Sequence, residues 1–197
     1  MVKKYRLFEL ETKMIKDVLP EVHKLLQESK IENFSPFSAK FLYSHFGSPY
    51  HVIVLEDLKE SGFEMAERTE GLDLPHCMMV MRKIALFHAA SLVLREKHPE
   101  LLEDFYDPLS QDMFPNEFRE FLKSFLNALC DEIDEKHQDL QKYSGRLREI
   151  GDCAIGMWAK GRARDKKEYC VLAHGDVWLN NFMFQYSKND RQLIDIR

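Results

Sequence analysis

The sequence predicts an α+β fold, rich in helix, with strands segregated from helices. Three observations carry this. Apolar residues recur at spacings of three and four through 6–28, 73–97, 116–136 and roughly 138–160, the period of amphipathic helices. Short segments rich in β-branched and aromatic residues cluster apart from these, at 39–55 and 169–196. The order is helix, two strands, a helix block, then short strands, not the βα alternation of a parallel sheet.

The first helix, 6–28, carries Phe8, Glu11, Ile15, Val18, Val22 and Leu25 on one face, so its stripe includes one carboxylate. Asn33, Ser35, Pro36 and Ser38 mark a loop. Ala39–His45 and Tyr50–Leu55 read as strands, with Gly47-Ser48-Pro49 as their turn. Residues 73–97 read as a long helix with Met78, Met81, Ala85, His88 and Leu92 as its apolar stripe, closed by Pro99. In 116–136, Phe118, Phe121, Phe125, Leu129 and Ile133 share a face expected to be core. The helix over 138–160 is weakened by Gly145, Gly151 and Gly156, and a basic segment, Gly161–Lys167, ends the helical region. Tyr169–Ala173 reads as a strand. Asn181–Tyr186 and Arg191–Ile196 read as a hairpin around Ser187-Lys188-Asn189-Asp190.

Composition narrows the function. The chain has 197 residues and a net charge of −5, so no global charge bias toward nucleic acid exists. Cys77, Cys130, Cys153 and Cys170 form no C-x-x-C pair and read as single thiols of a reducing compartment. The basic start at Met1–Arg6 runs into Glu9 and Glu11, which break a signal-peptide core. No apolar run approaches the roughly 18 residues needed to span a bilayer. A cytoplasmic protein without a membrane span is expected.

The chemistry concentrates near the C-terminal end. If the hairpin turn occupies 187–190, Tyr186 faces Arg191 and Phe182 faces Asp195, with Asn181 beside that pair. Asp176 lies five residues before Asn181. Two acids and an amide oxygen would then converge, the hard oxygen donors that Mg²⁺ takes together with substrate phosphates. The spacing His174, Asp176, Asn181, followed by a strand-borne Asp195, also reproduces the order of a phosphoryl-transfer catalytic loop. On that template Asp176 takes the proton of the acceptor hydroxyl, and Asn181 and Asp195 hold the metal. His174 supports the loop.

The run HGDVWLNN at 174–181, followed by LID at 193–195, resembles the catalytic loop of the ecdysteroid kinase-like family, also called CHK kinase-like. That family is a branch of the choline kinase and aminoglycoside phosphotransferase superfamily. Further segments are similar to it: VLEDLKESGFEMAERTEGLDL at 54–74, IALFHAASLVL at 84–94 and FELETKMIKDVLP at 8–20. The resemblance implies a protein kinase-like two-lobed fold. Residues 1–58 would be part of the first lobe, and 59–197 part of the second, with the catalytic loop and metal-binding hairpin. It implies ATP and Mg²⁺ as cofactors and a small-molecule hydroxyl as acceptor, such as an ecdysteroid or another lipophilic alcohol. Glu11 would pair with a phosphate-binding lysine, and Glu56 to Leu58 would form the hinge for the adenine. The family's nucleotide-covering loop and strand lysine precede a helix that here begins within about ten residues of Met1, and its acceptor-binding segment follows the second metal Asp, so the sequence reads as an incomplete version of the fold. A catalytically inactive kinase-fold binding module is the alternative reading.

Overall fold

The computed structural model describes residues 6–31, 34–105, 116–161 and 169–197. The chain folds as two units, Met1–Phe105 with Tyr169–Arg197, and Tyr106–Glu168. The fold is α+β, as the sequence predicts.

The first unit opens on a helix in three parts: α1 (Leu7–Lys13), a π-helical turn (Met14–Val18) and α2 (Leu19–Glu28). The π turn inserts extra backbone into the helical winding and so rotates the residues before it relative to those after. Downstream, Val18, Val22 and Leu25 are buried, as their spacing predicts. Upstream the face is displaced. Thr12 is buried and Met14 packs against the core, whereas Glu11 is exposed. The expectation that Glu11 lies on the buried face is therefore corrected.

Strands β1 (Phe41–Phe46) and β2 (His51–Leu55) pair antiparallel, with an irregularity between Phe41 and Tyr43. A second sheet has the order β3 (Phe63–Glu64), β4 (Phe184–Tyr186), β5 (Leu193–Ile196), all antiparallel. The two-residue β3 is too short to leave an alternating pattern in the sequence.

Helix α3 (Leu74–Lys97) is the spine of this unit. Asp73 caps it by accepting from the His76 N–H at 3.0 Å, and Pro75 sits in the first turn, where no N–H is required. Its buried face is Val80, Phe87, Ala90, Ser91 and Leu94. Of the stripe expected from spacing, Met78, Met81 and Ala85 are exposed, while His88 and Leu92 are half-buried. The helix is apolar around most of its circumference, so periodicity alone could not choose a side. It is also long and apolar enough, at a mean hydropathy of 1.6, to cross a membrane by length and composition. Here its two halves serve two separate cores. The later half packs Phe87, Ala90 and Leu94 against Val18, Leu19, Val22, Leu25 and Leu26 of the first helix. The earlier half packs Val80 against Phe182, Phe184 and Ile196 of the hairpin. Each of the valine, leucine, isoleucine and phenylalanine side chains, fully buried, contributes about 1.5–3 kcal/mol. Pro99 does not simply close the helix: it opens the short α4 (Pro99–Leu102) after a break at His98.

His23, in α2, links this core to the loop at 34–38. Its Nε2 accepts the Phe37 N–H at 3.2 Å, and its ring stacks on Phe37 at 5.4 Å. Burial, with smaller contributions from Lys83 and Arg197, holds its pKa below the usual 6.5. The folded state thus prefers neutral His23, while the unfolded chain protonates near 6.5. Stability is consequently lost as pH falls below 6.5, until the lower folded pKa is passed. We expect the melting temperature to drop more between pH 7.5 and 5.5 in the wild type than in His23→Gln. Equal drops would remove His23 from the explanation.

The second unit is an antiparallel pair, α5 (Asn116–Lys136) and α6 (Gln141–Gly161). Among the described residues Cys130, Ile133 and Ser144 are buried, and Arg148 reaches Asp131 at 2.7 Å and Asp134 at 3.0 Å. Phe121, Phe125 and Leu129, expected as core, are exposed, with the two phenyl rings edge to face at 4.7 Å. Two helices cover only one face of each other, and α6 covers the Cys130 and Ile133 side. The basic run after Gly161 lies outside the described residues.

Candidate functional site

The loop from Cys170 to Asn181 is held by side chains of α3. Tyr169–Ala173 is not a strand, contrary to expectation. Instead the Leu172 N–H donates to Ser91 Oγ at 3.0 Å, and Arg95 donates to the Cys170 carbonyl at 3.0 Å. Ser91 is buried and donates in turn to the His88 carbonyl at 2.7 Å. A segment whose polar backbone bonds to side chains needs no partner strand. Ser91 and Arg95 are positioning residues that sequence reasoning does not single out. Their signal is present all the same: both project from the IALFHAASLVL helix or its continuation, on or beside its buried face.

Past Ala173 the chain turns sharply. Gly175 has φ +81, in the left-handed region that glycine occupies without steric cost. The Asp176 N–H donates to His174 Nδ1 at 3.3 Å. The Trp178 N–H donates to the Asp176 carbonyl at 3.1 Å, and a 3₁₀ turn, Leu179–Asn181, follows. The Asn181 amide then reaches back, donating to the Asp176 carbonyl at 2.9 Å and to its carboxylate at 2.8 Å. So His174, Asp176 and Asn181 are brought together, all three exposed to solvent. The Asn181 Nδ2 is engaged by Asp176, which leaves Oδ1 facing away from that bond. Arg68 stands over the Trp178 ring at 5.9 Å.

Asp195 lies on β5. Within the hairpin, Gln185 faces Asp195 and Tyr186 faces Leu193, with a bulge between Gln185 and Tyr186. The register expected from a 187–190 turn is wrong. The turn is longer, closed by Ser187 N–H to the Gln192 carbonyl at 2.8 Å with Arg191 at φ +57, and the bulge shifts the pairing again. Met183 and Arg197 exchange backbone bonds at 2.9 and 2.8 Å. Asn181 stands four residues before Gln185, the partner of Asp195, in the 3₁₀ turn that precedes the strand.

The Asp195 carboxylate is also fully engaged. Oδ1 accepts from Ser35 Oγ and from its neighbour's Ile196 N–H at 2.7 Å, with Lys83 Nζ at 3.8 Å. Oδ2 pairs with Arg197. All three ionic side chains are at most 17% exposed. Burial pushes the Lys83 ammonium down to about 8, with Asp195 pulling it back up, so it stays protonated at pH 7. Among the described residues, no cluster of three His, Cys, Asp or Glu side chains could hold a metal. In this arrangement Asn181 is engaged by Asp176, and Asp195 by Ser35, Lys83 and Arg197.

Glu56 and Leu58 line a cavity of ≈ 690 Å³ with Ile15, Leu19, Phe41 and Phe63. That volume is in the range of small-molecule sites. The Glu56 N–H donates to the Lys40 carbonyl, and the Leu58 carbonyl accepts from Ser61 and Phe63. The Glu56 carbonyl and Leu58 N–H lie outside these bonds. Glu11 does not line this cavity and has no ion-pair partner among the described residues.

The ecdysteroid kinase-like family model matches residues 1–197. No curated protein and no solved structure matches the chain. With a family match over the whole length and an Asp176–Asn181 loop of the expected spacing, the chain belongs to the ecdysteroid kinase-like family, whose members are kinase-like phosphotransferases of small molecules.

Proposed function

We propose that the protein transfers the γ-phosphoryl group of ATP to the hydroxyl of a lipophilic small molecule, an ecdysteroid or a related alcohol. The observation that carries this is the double hydrogen bond from Asn181 to Asp176, which fixes an exposed carboxylate at the mouth of a sharp loop. In the step, the acceptor oxygen attacks the γ-phosphorus, the bond to the β-phosphate oxygen breaks, and ADP leaves. The acceptor proton passes to Asp176. His174 supports the loop through the Asp176 N–H. The cavity at Glu56 and Leu58 would take the adenine, with the Glu56 carbonyl and Leu58 N–H as its partners. Kinase-like families generally use ATP with Mg²⁺. Asn181 would meet the metal through Oδ1. Asp195 could join it only after release from Lys83 and Arg197, and Glu11 only with a cation brought beside it. A first-lobe part over 1–58, a second-lobe part over 59–197 and a cytoplasmic setting complete the reading.

A second reading, a binding module without turnover, is favoured by the engagement of Asp195. One experiment separates the two. The protein is incubated with Mg·[γ-³²P]ATP and a panel of steroid and terpenoid alcohols. Label transferred to an alcohol supports the kinase. Saturable Mg·ATP binding by calorimetry with no label transferred to any alcohol supports the module.

A further inference from the structure

Lys83 Nζ sits among oxygens of three kinds. The Ser35 hydroxyl is at 2.9 Å, Asp195 Oδ1 at 3.8 Å, and the Ile196 carbonyl accepts a bond from the ammonium. Hydroxyl, carboxylate and carbonyl oxygens are the donors that hard cations take. Ser35 comes from the loop after α2 and the other two from β5, while Lys83 arrives from α3. The convergence is therefore a product of tertiary packing, not of one local turn. A lysine on a solvated helix face would keep its ammonium in water. This one is only 14% exposed, with Phe37 beneath it at 5.7 Å. Beside it opens a cavity of ≈ 470 Å³, lined by Ser35, Arg82, Lys83 and Asp195, which gives an ion a way in.

We infer that the oxygens of Ser35, Asp195 and Ile196 form a cation site that the Lys83 ammonium fills, so that Lys83 and a divalent cation exclude each other there. The inference rests on the proposed reading of Asp195 as a metal ligand and states what controls that ligand. Arg197 is not the occupant. Its planar guanidinium pairs with the other carboxylate oxygen, shares the Ile196 carbonyl at 3.1 Å and lies over Phe63 at 4.8 Å, so it borders the site without touching Asp195 Oδ1. The ammonium is a compact point charge, of the kind an ion can replace. A dication brought within a few ångströms of it meets strong repulsion in this partly buried place.

The test is Mn²⁺ binding to the full chain without nucleotide, read from the loss of the free-ion electron paramagnetic resonance signal. Wild type and Asp195→Asn are expected to titrate alike, because Lys83 already holds the site. Lys83→Ala is expected to bind one additional Mn²⁺ at least tenfold more tightly, and Lys83→Ala/Asp195→Asn to lose that gain. Lys83→Arg, which keeps the charge, is expected to show no gain. Asp195-dependent Mn²⁺ binding in the wild type overturns the inference, whether or not the alanine variant folds. So does a Lys83→Ala protein, folded by circular dichroism, that gains nothing, or a gain that survives Asp195→Asn. Phosphoryl transfer is not the readout, so failure of the kinase reading and failure of the Lys83 site are seen separately.

Discussion

Replacing Asp176 by alanine is expected to lower phosphoryl transfer by about 10²- to 10⁴-fold, the range for loss of a positioned general base. The melting temperature should stay within the error of the wild type. Asp176 is exposed, and the groups it engages are its own loop neighbours, so its removal opens no cavity and strands no buried partner. The loss should fall on kcat, with KM for ATP little changed, because the carboxylate acts on the acceptor proton and not on the nucleotide. Asn181→Ala should also reduce kcat, since the amide that fixes both the Asp176 carbonyl and its carboxylate is gone. The two changes act on one unit, so the double variant should fall little below Asp176→Ala alone. A single-variant loss under about fivefold would exclude Asp176 as the base.

That loop was legible in the sequence because its residues are close along the chain. His174, Asp176 and Asn181 span eight positions, and local turns suffice to bring them together. Asp195 was not legible in the same way. Its position relative to Asn181 depends on a hairpin register, and register depends on the turn and on a bulge that no residue pattern announced. A turn one pair longer than counted, plus one bulge, was enough to set Asp195 opposite Gln185 instead of Phe182. Lys83 and Ser35 were invisible for a further reason. They meet Asp195 from 112 and 160 positions away in sequence, through the packing of α3 and the 34–38 loop on β5.

The helices show the same division. Their existence and limits followed from composition and capping, as at Asp73 and Pro75 of α3. Which face they bury did not always follow. In α2 the face was clear, because polar residues occupy the other side. In α3 methionines and alanines make the exposed side nearly as apolar as the core side, and the choice fell to shape. Val80, Phe87 and Leu94 fit the hairpin and α2, while Met78 and Met81 stay outside. Glu11 failed through backbone geometry: a single π turn rotated it off the expected stripe, a change that residue spacing cannot encode.

Phe184→Ala is expected to cost about 3–5 kcal/mol of unfolding free energy, the range for truncating a buried phenylalanine. Phe184 has no exposed surface and packs with Val80, Phe182 and Ile196. The His76 ring meets it edge-on at 4.8 Å, and His76 Nε2 lies 2.8 Å from the Tyr186 hydroxyl, so the same ring helps dock α3 on β4. Its backbone pairs with both Glu64 and Ile196, in the central strand of the three. Truncation therefore opens a cavity at the point where β3, β5 and α3 converge. Small domains are stable by only about 5–15 kcal/mol, so the loss is a large fraction of the total. Phe125→Ala, at a ring 60% exposed, should change stability by under about 1 kcal/mol and serves as the control for loss of a phenyl group itself. Urea unfolding followed by circular dichroism measures both. The consequence for the site follows from β5. A loosened Phe184 contact frees Ile196, whose carbonyl anchors Lys83 and whose N–H bonds Asp195. The Lys83–Asp195 pair should then become more accessible before the start of the Asp176 loop is disturbed, since that end hangs from Ser91 and Arg95. Hydrogen exchange in Phe184→Ala would show faster exchange at Ile196 with the Leu172 amide unchanged. Equal acceleration at both would mean that hairpin and loop move as one body.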